Sequence, residues 1–317
     1  MIIPVSVPIN LPIQATNAVI ITDNPLTIID PGCKNPLTLE VLENALKNAG
    51  FSLNAVKRVL ITHGHLDHFG AAESIREISG CQIYIHEYDL QKAMRKQRKD
   101  DEYTLYYKKI LTEHGCPAIG LKGTDDFLKY TASMYDPLTS ASSYGETIDF
   151  DDFSLSVIHC PGHSRGSVVF YEPERKLLIS GDTVIKGITP NPIIEFLDDW
   201  SRFNSQAAFR GSIENLNRFQ YQRVIPGHGE EFEDFDTVYR KYKTEWEKKD
   251  EKVIEILKRY HQLSAFEMIE HIYGVLQEFQ IFLGMSETIG MLDLLESKAV
   301  IEYVLSGGIY KARLLQK

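Results

Sequence analysis

The segment from Thr62 to His68 constrains this chain most, because it places three histidines and an aspartate within seven consecutive residues. An apolar run at residues 59–61 precedes it and predicts a strand that carries the cluster at its end. Neutral imidazole and carboxylate are ligands that suit Zn²⁺, Mn²⁺ and iron. His63 and His65 can point to the same side of an extended strand end. The segment therefore predicts a metal site that can serve two neighbouring ions, against the alternative of an exposed loop that happens to be rich in histidine.

The composition is that of an ordinary globular protein with an excess of acidic residues. Of the 317 residues, 43% are hydrophobic and 25% are charged, which is typical of soluble domains. The formal net charge of −10 disfavours broad binding to nucleic acid or to anionic membranes. The chain shows neither a signal-peptide pattern nor an apolar run of about 18 residues that would predict a membrane span. Four scattered cysteines without a Cys-x-x-Cys pair predict a cytoplasmic protein without a disulfide framework.

Three further apolar strands run directly into glycine-containing turns, and each turn bears one potential metal ligand. Glycine lets the backbone approach closely or adopt a positive φ, so each ligand can be held at a sheet edge that faces a common cleft. Four strand ends that bear ligands support a metal centre far more strongly than one such motif. The strands are predicted at residues 153–158, 176–179 and 223–225, and their ligands are His163 in Pro-Gly-His-Ser, Asp182 in Ser-Gly-Asp-Thr and His228 in Pro-Gly-His-Gly.

The remaining pattern predicts strands and helices that surround these turns. A hairpin is predicted whose second strand ends at Asp30, in an Asp-Pro-Gly turn. The Asp30 carboxylate either forms the turn or steadies a metal-bound histidine. His86 is expected to be a strand-end or surface histidine rather than a ligand. The predicted hairpin strands are residues 17–22 and 26–29, the helices are 36–49 before Gly50 and 68–79 before Gly80, and a further strand covers 82–86.

Residues 88–145 are predicted to form a helical insertion. The favoured interpretation is a solvated helical face. The alternative is a lid over the active site, in which cations and aromatic rings meet an anionic or acyl substrate. The charged and aromatic residues concerned are Lys92, Arg95, Lys96, Arg98 and Lys99, followed by Tyr103, Tyr106 and Tyr107.

The ordered set of ligand motifs resembles the metallo-β-lactamase superfamily over roughly residues 15 to 235. The resemblance implies an α/β fold, a four-layer αβ/βα sandwich that holds two metal ions at one edge of its paired sheets, in a catalytic domain of residues 1–240. It also implies that Asp30 supports the site without binding metal. The implied ligands are His63, His65 and His163 for the first ion, Asp67, His68 and His228 for the second, and Asp182 between the two.

The activity implied by this resemblance is hydrolysis. A water shared by two cations loses its proton near neutral pH, since one Zn²⁺ already lowers the pKa of a bound water to about 7. The bridging hydroxide would attack an ester-like small molecule, a thioester or a lactone, and Asp67 would act catalytically by orienting the hydroxide and moving a proton. Zinc is the favoured metal, with manganese or iron as alternatives. His65 stands where flavodiiron members carry an acid, which disfavours an oxygen- or NO-reducing centre.

Three alternative functions stay open at this point. A single-strand endoribonuclease or phosphodiesterase would direct the same hydroxide at phosphorus and would need a basic groove, for example from Lys92 to Lys99. A mononuclear-iron persulfide dioxygenase keeps much of the same ligand set. A nucleic-acid-binding regulator would rely on the tail of the chain. The intact ligand set disfavours this alternative.

The tail, residues 241–317, is predicted to fold separately. It resembles a small winged-helix module of the kind appended to the lactamase-like-2 branch of the superfamily, some members of which are single-strand endoribonucleases. From Glu245 to Lys317 it carries 12 acidic residues against 9 lysines and arginines, whereas nucleic-acid modules tend to be basic. The tail is therefore expected to pack or to form a homodimer, and it lacks the basic cluster that glyoxalase-II-like enzymes use for glutathione. Its predicted elements are helices at 245–260, 264–271 and 287–298 and a hairpin of 300–304 and 309–314.

Overall fold

The structure is a computed structural model that describes residues 1–11, 13–95, 101–277 and 279–315. By their packing the residues form two compact units. The first comprises Met1–Lys96, Thr131–Pro190 and Gly211–Val238, and the second comprises Gln97–Tyr130, Asn191–Arg210 and Tyr239–Lys317. Residues 101–130 and 191–210 thus belong to the same unit as the tail, and the division into domains of residues 1–240 and 241–317 stays a prediction. The basic residues Lys96, Arg98, Lys99 and Lys317 lie outside the described ranges.

Strands and helices follow one another along the chain as in an α/β protein. The strands are β1 (Ile2–Pro8), β2 (Ala15–Ile21), β3 (Thr27–Ile29), β4 (Arg58–Leu60), β5 (Gln82–Tyr84), β6 (Thr147–Asp149), β7 (Ser154–His159), β8 (Val168–Glu172), β9 (Leu177–Gly181), β10 (Glu195–Phe196), β11 (Arg202–Phe203), β12 (Arg223–Pro226), β13 (Gln262–Ser264), β14 (Ile301–Ser306) and β15 (Ile309–Leu314). The helices are α1 (Pro36–Asn48), α2 (Leu66–Phe69), α3 (Ala72–Ser79), α4 (Glu87–Ala93), α5 (Glu102–Glu113), α6 (Ala118–Thr131), α7 (Ser205–Leu216), α8 (Phe235–Tyr260), α9 (Ala265–Tyr273) and α10 (Phe279–Ser297), with a 3-10 turn at Leu53–Ala55.

Two five-stranded sheets build the first unit, in the orders β1-β2-β3-β4-β5 and β12-β9-β8-β7-β6. The predicted hairpin is confirmed, because β2 and β3 pair antiparallel, while β3, β4 and β5 run parallel. In the second sheet, β9 and β12 are parallel neighbours. Parallel neighbours end at the same edge of a sheet. The turns after β3 and β4 therefore lie side by side, and so do the turns after β9 and β12.

The two sheets pack face to face, and helices α1 and α3 cover the other face of the first sheet. Alternation along β2 divides its side chains between these layers: Ala18 and Ile20 face the helices, and Val19 and Ile21 face the second sheet. A strand that is buried on both faces needs apolar residues at consecutive positions. The continuous apolar runs of the sequence follow from this sandwich, which is the predicted fold class.

The prediction of a single helix over residues 68–79 is wrong, because two separate helices, α2 and α3, form in this part of the chain. The amide of Ala71 donates to the carbonyl of Gly32 at 2.8 Å instead of continuing the helix. A Cβ at Gly70 would lie 2.4 Å from the carbonyl oxygen of Leu66 and 2.6 Å from that of Met134. The break lets the short helix α2 turn its ligands toward the sheet edge, and α3 ends at Gly80 with a φ of 70°, as predicted.

The segment predicted as a helical insertion contains α4, α5 and α6, but a solvated face is wrong for its tyrosines. Tyr103, Tyr106 and Tyr107 lie three and four residues apart, so they share one face of α5. That face packs against Phe196, with ring centroids 4.8–5.4 Å from it, and Tyr106 also contacts Trp200 at 5.1 Å. The aromatic rings therefore belong to the core of the second unit.

The end of the second unit follows the predicted elements closely. Ser264 caps α9, where its hydroxyl accepts from the amide of Glu267 and the Glu267 carboxylate accepts from the amide of Ser264. The predicted hairpin is confirmed as β14 and β15, in a three-stranded sheet of order β13-β15-β14. The third predicted helix is the second half of α10, and the winged-helix resemblance stays a prediction. Within the described ranges, no helix is both long enough and apolar enough to span a membrane.

Candidate metal centre

Three histidines from two loops converge on one point at the edge of the sandwich. His65 Nδ1 lies 3.0 Å from His63 Nε2 and 2.9 Å from His163 Nε2. His63 and His65 follow β4, and His163 lies in the loop between β7 and β8. This three-histidine group consists of the residues that the family resemblance assigns to a first ion, and their ligand atoms all lie within 4.8 Å of one another.

A second group lies beside the first and consists of Asp67, His68 and His228. The Nε2 atom of His228 is 3.4 Å from Asp67 Oδ2, and the Nε2 atom of His68 is 3.9 Å from the same oxygen. Asp67 and His68 lie on α2, and His228 follows β12. We call these residues the Asp67 group, and they are the residues expected to hold a second ion.

Asp182 lies between the two groups. Its Oδ2 is 3.6 Å from His163 Nε2 and 3.3 Å from His228 Nε2, and its Oδ1 is 3.4 Å from His68 Nε2. One carboxylate therefore faces ligands of both groups, as a bridging residue would. The structure thus brings all seven predicted ligands together, and their binding of metal stays a prediction.

Close approach of backbone explains two of the glycines in the ligand-bearing turns. A Cβ at Gly227 would lie 2.2 Å from Asp182 Oδ1 and 2.8 Å from His68 Cε1. Gly181 has a φ of 47°, and a Cβ there would lie 2.5 Å from Thr62 Oγ1. A side chain at Gly227 would enter the space of two ligands, and one at Gly181 would enter the space of Thr62, so the expected role of glycine is confirmed.

Asp30 orients two of the histidines through the side of each ring that faces away from the ligand cluster. Its Oδ1 accepts from the amide of Thr62 at 2.8 Å, and its Oδ2 accepts from the Thr62 hydroxyl at 2.6 Å and contacts His68 Nδ1 at 2.9 Å. Because the Thr62 hydroxyl gives its proton to Asp30, its oxygen can accept from His63 Nδ1, which is 3.1 Å away. With protons on both Nδ1 atoms, the Nε2 lone pairs of His63 and His68 face the ligand cluster. The Asp30 carboxylate therefore supports the site, and Thr62 extends its reach to His63.

His228 is oriented by the backbone. Its Nδ1 lies 2.7 Å from the carbonyl oxygen of Ala15, which can only accept a hydrogen bond. Nδ1 must therefore carry a proton, and in the neutral ring the Nε2 lone pair faces Asp67 and Asp182. Fixing the tautomer through the other ring nitrogen is the usual way in which proteins prepare a histidine for metal.

Burial keeps two members of the three-histidine group uncharged. It lowers the pKa of His63 and of His65 well below the usual value, and neighbouring imidazoles add to this effect. At His65 the largest further contribution comes from the positive charge of Lys92. An imidazole that stays neutral at physiological pH has a lone pair available for a cation.

The Asp67 group has the opposite electrostatics. Burial alone would lower the pKa of His228, but Asp182 and then Asp67 outweigh burial and raise the pKa to about 10. The pKa of His68 likewise rises well above its usual value, because Asp182 and Asp30 outweigh burial. Burial would raise the pKa of Asp182, yet His228 and His68 hold it well below its usual value. The carboxylates thus attract positive charge to this spot, whether protons or a metal cation supply it.

The donor set fits divalent cations. His68 Nε2, His228 Nε2 and Asp182 Oδ1 are buried, and none has a hydrogen-bond partner within the described part of the chain. Leaving buried polar atoms unpaired costs about 1–3 kcal/mol each. These atoms belong to groups whose ligand atoms lie within 4.8 Å of one another. Mixed imidazole and carboxylate ligands are those of zinc, manganese and iron sites, so cations would satisfy atoms that the protein itself leaves unsatisfied.

Two contributors lie outside the set predicted from the sequence, namely Thr62 and Asp89. Thr62 precedes the first histidine directly, so its position is a usable signal. Asp89 is 25 residues from its nearest partner in the cluster, Gly64, and no motif marks it. His86, expected not to be a ligand, accepts from the amide of Tyr88 at the start of α4.

The chain is similar in sequence to a hydrolase and to a probable metallo-hydrolase, and in fold to a metallo-beta-lactamase family protein. A family model described as the metallo-beta-lactamase superfamily matches residues 11–228. The probable metallo-hydrolase YqjP of Bacillus subtilis (strain 168) is 24% identical over 302 residues, which cover 95% of this chain and 93% of YqjP. The hydroxyacylglutathione hydrolase GloC of Haemophilus influenzae is 29% identical over 160 residues, or 50% of this chain and 61% of GloC. The metallo-beta-lactamase family protein TTHA1429 from Thermus thermophilus has the same fold, with a TM-score of 0.84 at 21% identity over 99% of this chain and 98% of TTHA1429.

Proposed function

The chain belongs to the metallo-β-lactamase superfamily, and we propose that it uses two divalent cations to hydrolyse an ester-like small molecule, in the first place a thioester and in the second a lactone. That it is a metal-dependent hydrolase follows from the family and from its likeness to YqjP along nearly the whole length of both chains. The two-cation site and the substrate class are the parts that we propose.

The observation that carries this proposal is the arrangement of the seven ligands. Two groups of three share one volume, and Asp182 faces both. Bound there, two cations, with zinc favoured, would supply Lewis acidity and lower the pKa of a water molecule toward neutrality. The protein contributes pre-oriented lone pairs, since Asp30, Thr62 and the Ala15 carbonyl fix the histidine rings.

Asp67 is the residue that can also act on the substrate side. Its side chain is 16% exposed, against 0% for His68 and 4% for His228. Burial would raise its pKa, but His68 and His228 lower the pKa below its usual value, so Asp67 stays a carboxylate. Its Oδ2 faces the two histidines, and its Oδ1 has no hydrogen bond with any described residue. Oδ1 is therefore suited to orient a water molecule and to accept its proton.

A cavity lined in part by Cys33 lies next to the segment whose Gly32 amide donates to the His68 carbonyl, and none of the seven ligands lines it. Its volume is about 330 Å³, at the lower end of the range for small-molecule sites. Its lining is apolar at Pro8, Ile9, Cys33, Leu37 and Met134 and polar at Asn10, Lys34 and Asn35. Burial and then the nearby charge of Asp67 raise the pKa of the Cys33 thiol, which relates this wall of the cavity to the ligand cluster. The apolar part of this lining suits an acyl group, and the size of the cavity suits a small molecule better than a polymer.

The choice of a thioester rests on the similarity to GloC and on the chemistry of the GloC substrate. GloC acts on hydroxyacylglutathione, which is a thioester. Glutathione itself is disfavoured here, because the two basic residues in the last strand of the described chain are already paired. Lys311 pairs with Glu267 at 3.0 Å, and Arg313 pairs with Glu302 at 2.8 Å. We therefore propose a thioester substrate whose leaving group does not bind to a basic cluster near the end of the chain.

The test combines metal analysis with turnover of four substrates: an acyl thioester, a lactone, a phosphodiester and an RNA oligomer. We expect about two cations per chain and thioester turnover that Asp67→Ala reduces by at least about 100-fold, the lower bound typical for loss of an acid-base group. Asp126→Ala is the matched control, because Asp126 is exposed and, among the described residues, pairs only with Lys122 on its own helix. Fewer than two metals per chain, or equal activity of Asp67→Ala and wild type, would refute the proposal.

The same measurements separate the alternatives. Turnover of RNA without turnover of any ester would favour an endoribonuclease. A single bound iron with oxygen consumption in the presence of a persulfide would favour a dioxygenase, and nucleic-acid binding that survives Asp67→Ala would favour a regulator. Cytoplasmic location and a homodimer stay predictions.

A further inference from the structure

Asp89 is a buried aspartate that ties together the two loops that carry the three-histidine group. Its side chain is 0% exposed. Its Oδ2 accepts from the amide of Gly64 and from the hydroxyl of Ser164, both at 2.6 Å, and its Oδ1 accepts from the amide of Gly166 at 3.1 Å. Gly64 separates His63 from His65, and Ser164 follows His163 directly. One side chain therefore bonds next to all three histidines.

A Cβ at either glycine that donates to Asp89 would crowd the Asp89 side chain. A Cβ at Gly166 would lie 2.7 Å from Asp89 Cγ, and a Cβ at Gly64 would lie 3.0 Å from Asp89 Cβ. Neither glycine has a positive φ, so backbone conformation does not explain them. Absence of a side chain allows both loops to close around the same carboxyl group.

The second loop is fixed further by a chain of hydroxyl groups. Because Ser164 gives its proton to Asp89, its oxygen accepts from the hydroxyl of Ser167, which lies 2.8 Å away. The Ser167 oxygen in turn accepts from the amide of Ser164 at 3.1 Å. The serine in the Pro-Gly-His-Ser motif thus has a structural partner that the motif alone does not reveal.

The position of Asp89 on its own helix does not account for these contacts. An aspartate in the first turn of a helix commonly satisfies the amides of that turn. In α4 the side chain of His86 takes this role, accepting from the amide of Tyr88 at 3.3 Å. No described lysine or arginine forms an ion pair with Asp89, so its three acceptor bonds are all directed at the ligand loops.

We propose that Asp89 is a positioning residue that sets the spacing of the three-histidine group and thereby the affinity for the first cation. The Asp67 group is oriented independently, by Asp30 and by the carbonyl of Ala15. Loss of Asp89 should therefore affect one of the two cations selectively. This inference rests on the proposed two-cation site.

The test is the replacement Asp89→Asn, which keeps the shape of the side chain. Its amide nitrogen must face either the Gly166 amide or the pair of donors from Gly64 and Ser164, so at least one bond is lost. Metal-free protein is titrated with Zn²⁺ against a competing chelator, and with Co²⁺ to read the d–d absorption of each bound ion. We expect the affinity for one cation to fall about 10- to 100-fold, as for other residues that orient ligands, while the second stays as in wild type.

Glu73→Gln is the matched control. Glu73 is another buried carboxylate of the first unit, and it bonds to Arg76 and Thr139 rather than to a ligand loop. Its replacement should lower stability without changing either metal affinity. If Asp89→Asn does not fold, Ser164→Ala replaces it, because this change removes one donor and leaves the carboxylate in place. We expect a smaller loss, confined to the same cation.

The outcomes separate this inference from the proposed function. If wild type binds fewer than two cations, the proposed function fails first. If wild type binds two and the folded Asp89→Asn or Ser164→Ala protein binds both with unchanged affinity and an unchanged Co²⁺ spectrum, the positioning role alone is refuted. An equal loss of both cations would refute it as well, since the effect would then be general.

Discussion

Replacement of Asp30 by asparagine would test how the site prepares its histidines. Asp30 has a φ of 48°, a left-handed conformation that asparagine adopts more readily than most residues. The change therefore adds little backbone strain. It exchanges one acceptor oxygen for an NH₂ group, in a position where all three neighbours are donors.

The structure leaves the amide two orientations, and both are costly. An NH₂ group in the place of Oδ1 would face the amide of Thr62 and leave buried donors unpaired, at about 1–3 kcal/mol. In the place of Oδ2 it would face Nδ1 of His68 and require that atom to become an acceptor. The His68 proton would then move to Nε2 and block the lone pair that faces Asp182. We expect the affinity for the second cation to fall about 10- to 100-fold, which corresponds to about 1.4–2.8 kcal/mol.

Two measurements on the same preparation check this prediction. Chelator competition gives the affinity for each cation, and urea unfolding of the metal-free protein gives the change in the free energy of unfolding. Thr62→Val is a useful companion, because it removes the hydroxyl that joins Asp30 to His63 and keeps the volume of the side chain. An Asp30→Asn protein with affinities within about twofold of wild type and an unchanged free energy of unfolding would refute the reasoning.

Three further predictions concern packing, pH and metal removal. Gly227→Ala should lower metal affinity at least about tenfold, because its Cβ would collide with Asp182, whereas Gly211→Ala, with open space around it, should leave the metal content unchanged. Burial and then Arg202 lower the pKa of His114 to about 3, below the unfolded value, so its contribution to stability is complete above about pH 6.5 and is lost as the pH falls toward 3. Between pH 6.5 and 5 the free energy of unfolding falls by about 2 kcal/mol. Fluorescence of the two tryptophans, both in the second unit, should follow this unfolding. If the free energy of unfolding of His114→Asn depends on pH as it does in wild type, the prediction is contradicted. Metal at about 100 times its Kd should add about 2.7 kcal/mol to the stability of the protein, so a chelator that strips the metal without shifting the unfolding midpoint would argue against a site built in the folded state.

Much of the site was predictable because metal chemistry depends on residue types. The three histidines after β4 and the ligands in three glycine turns already indicate which side chains can bind a cation. Local rules also predicted the β2–β3 hairpin, the helix over residues 264–271 and the hairpin around Gly307 and Gly308, where both glycines have positive φ. In each case the residues that determine the feature are close together in the chain.

Other features depend on residues far apart in the sequence. The break between α2 and α3 arises because the Ala71 amide bonds to Gly32, which no helical pattern records. The tyrosines of α5 are buried because Phe196, on a later segment, packs against them. Exposed and buried aromatic faces have the same spacing along a helix, so periodicity could not distinguish them.

The ligand cluster shows both contributions together. The sequence by itself determined the identity of the seven candidate ligands and the chemistry that they can support, because imidazole and carboxylate carry that chemistry wherever they lie. The family resemblance already implied that Asp182 lies between the two groups, but only the tertiary structure decided that Asp30 acts through Thr62 on His63 and that Asp89 joins the two histidine loops. Hydrogen bonds over distances of about 3 Å depend on how separate strands end at one sheet edge, and that arrangement exists only after the two sheets have packed.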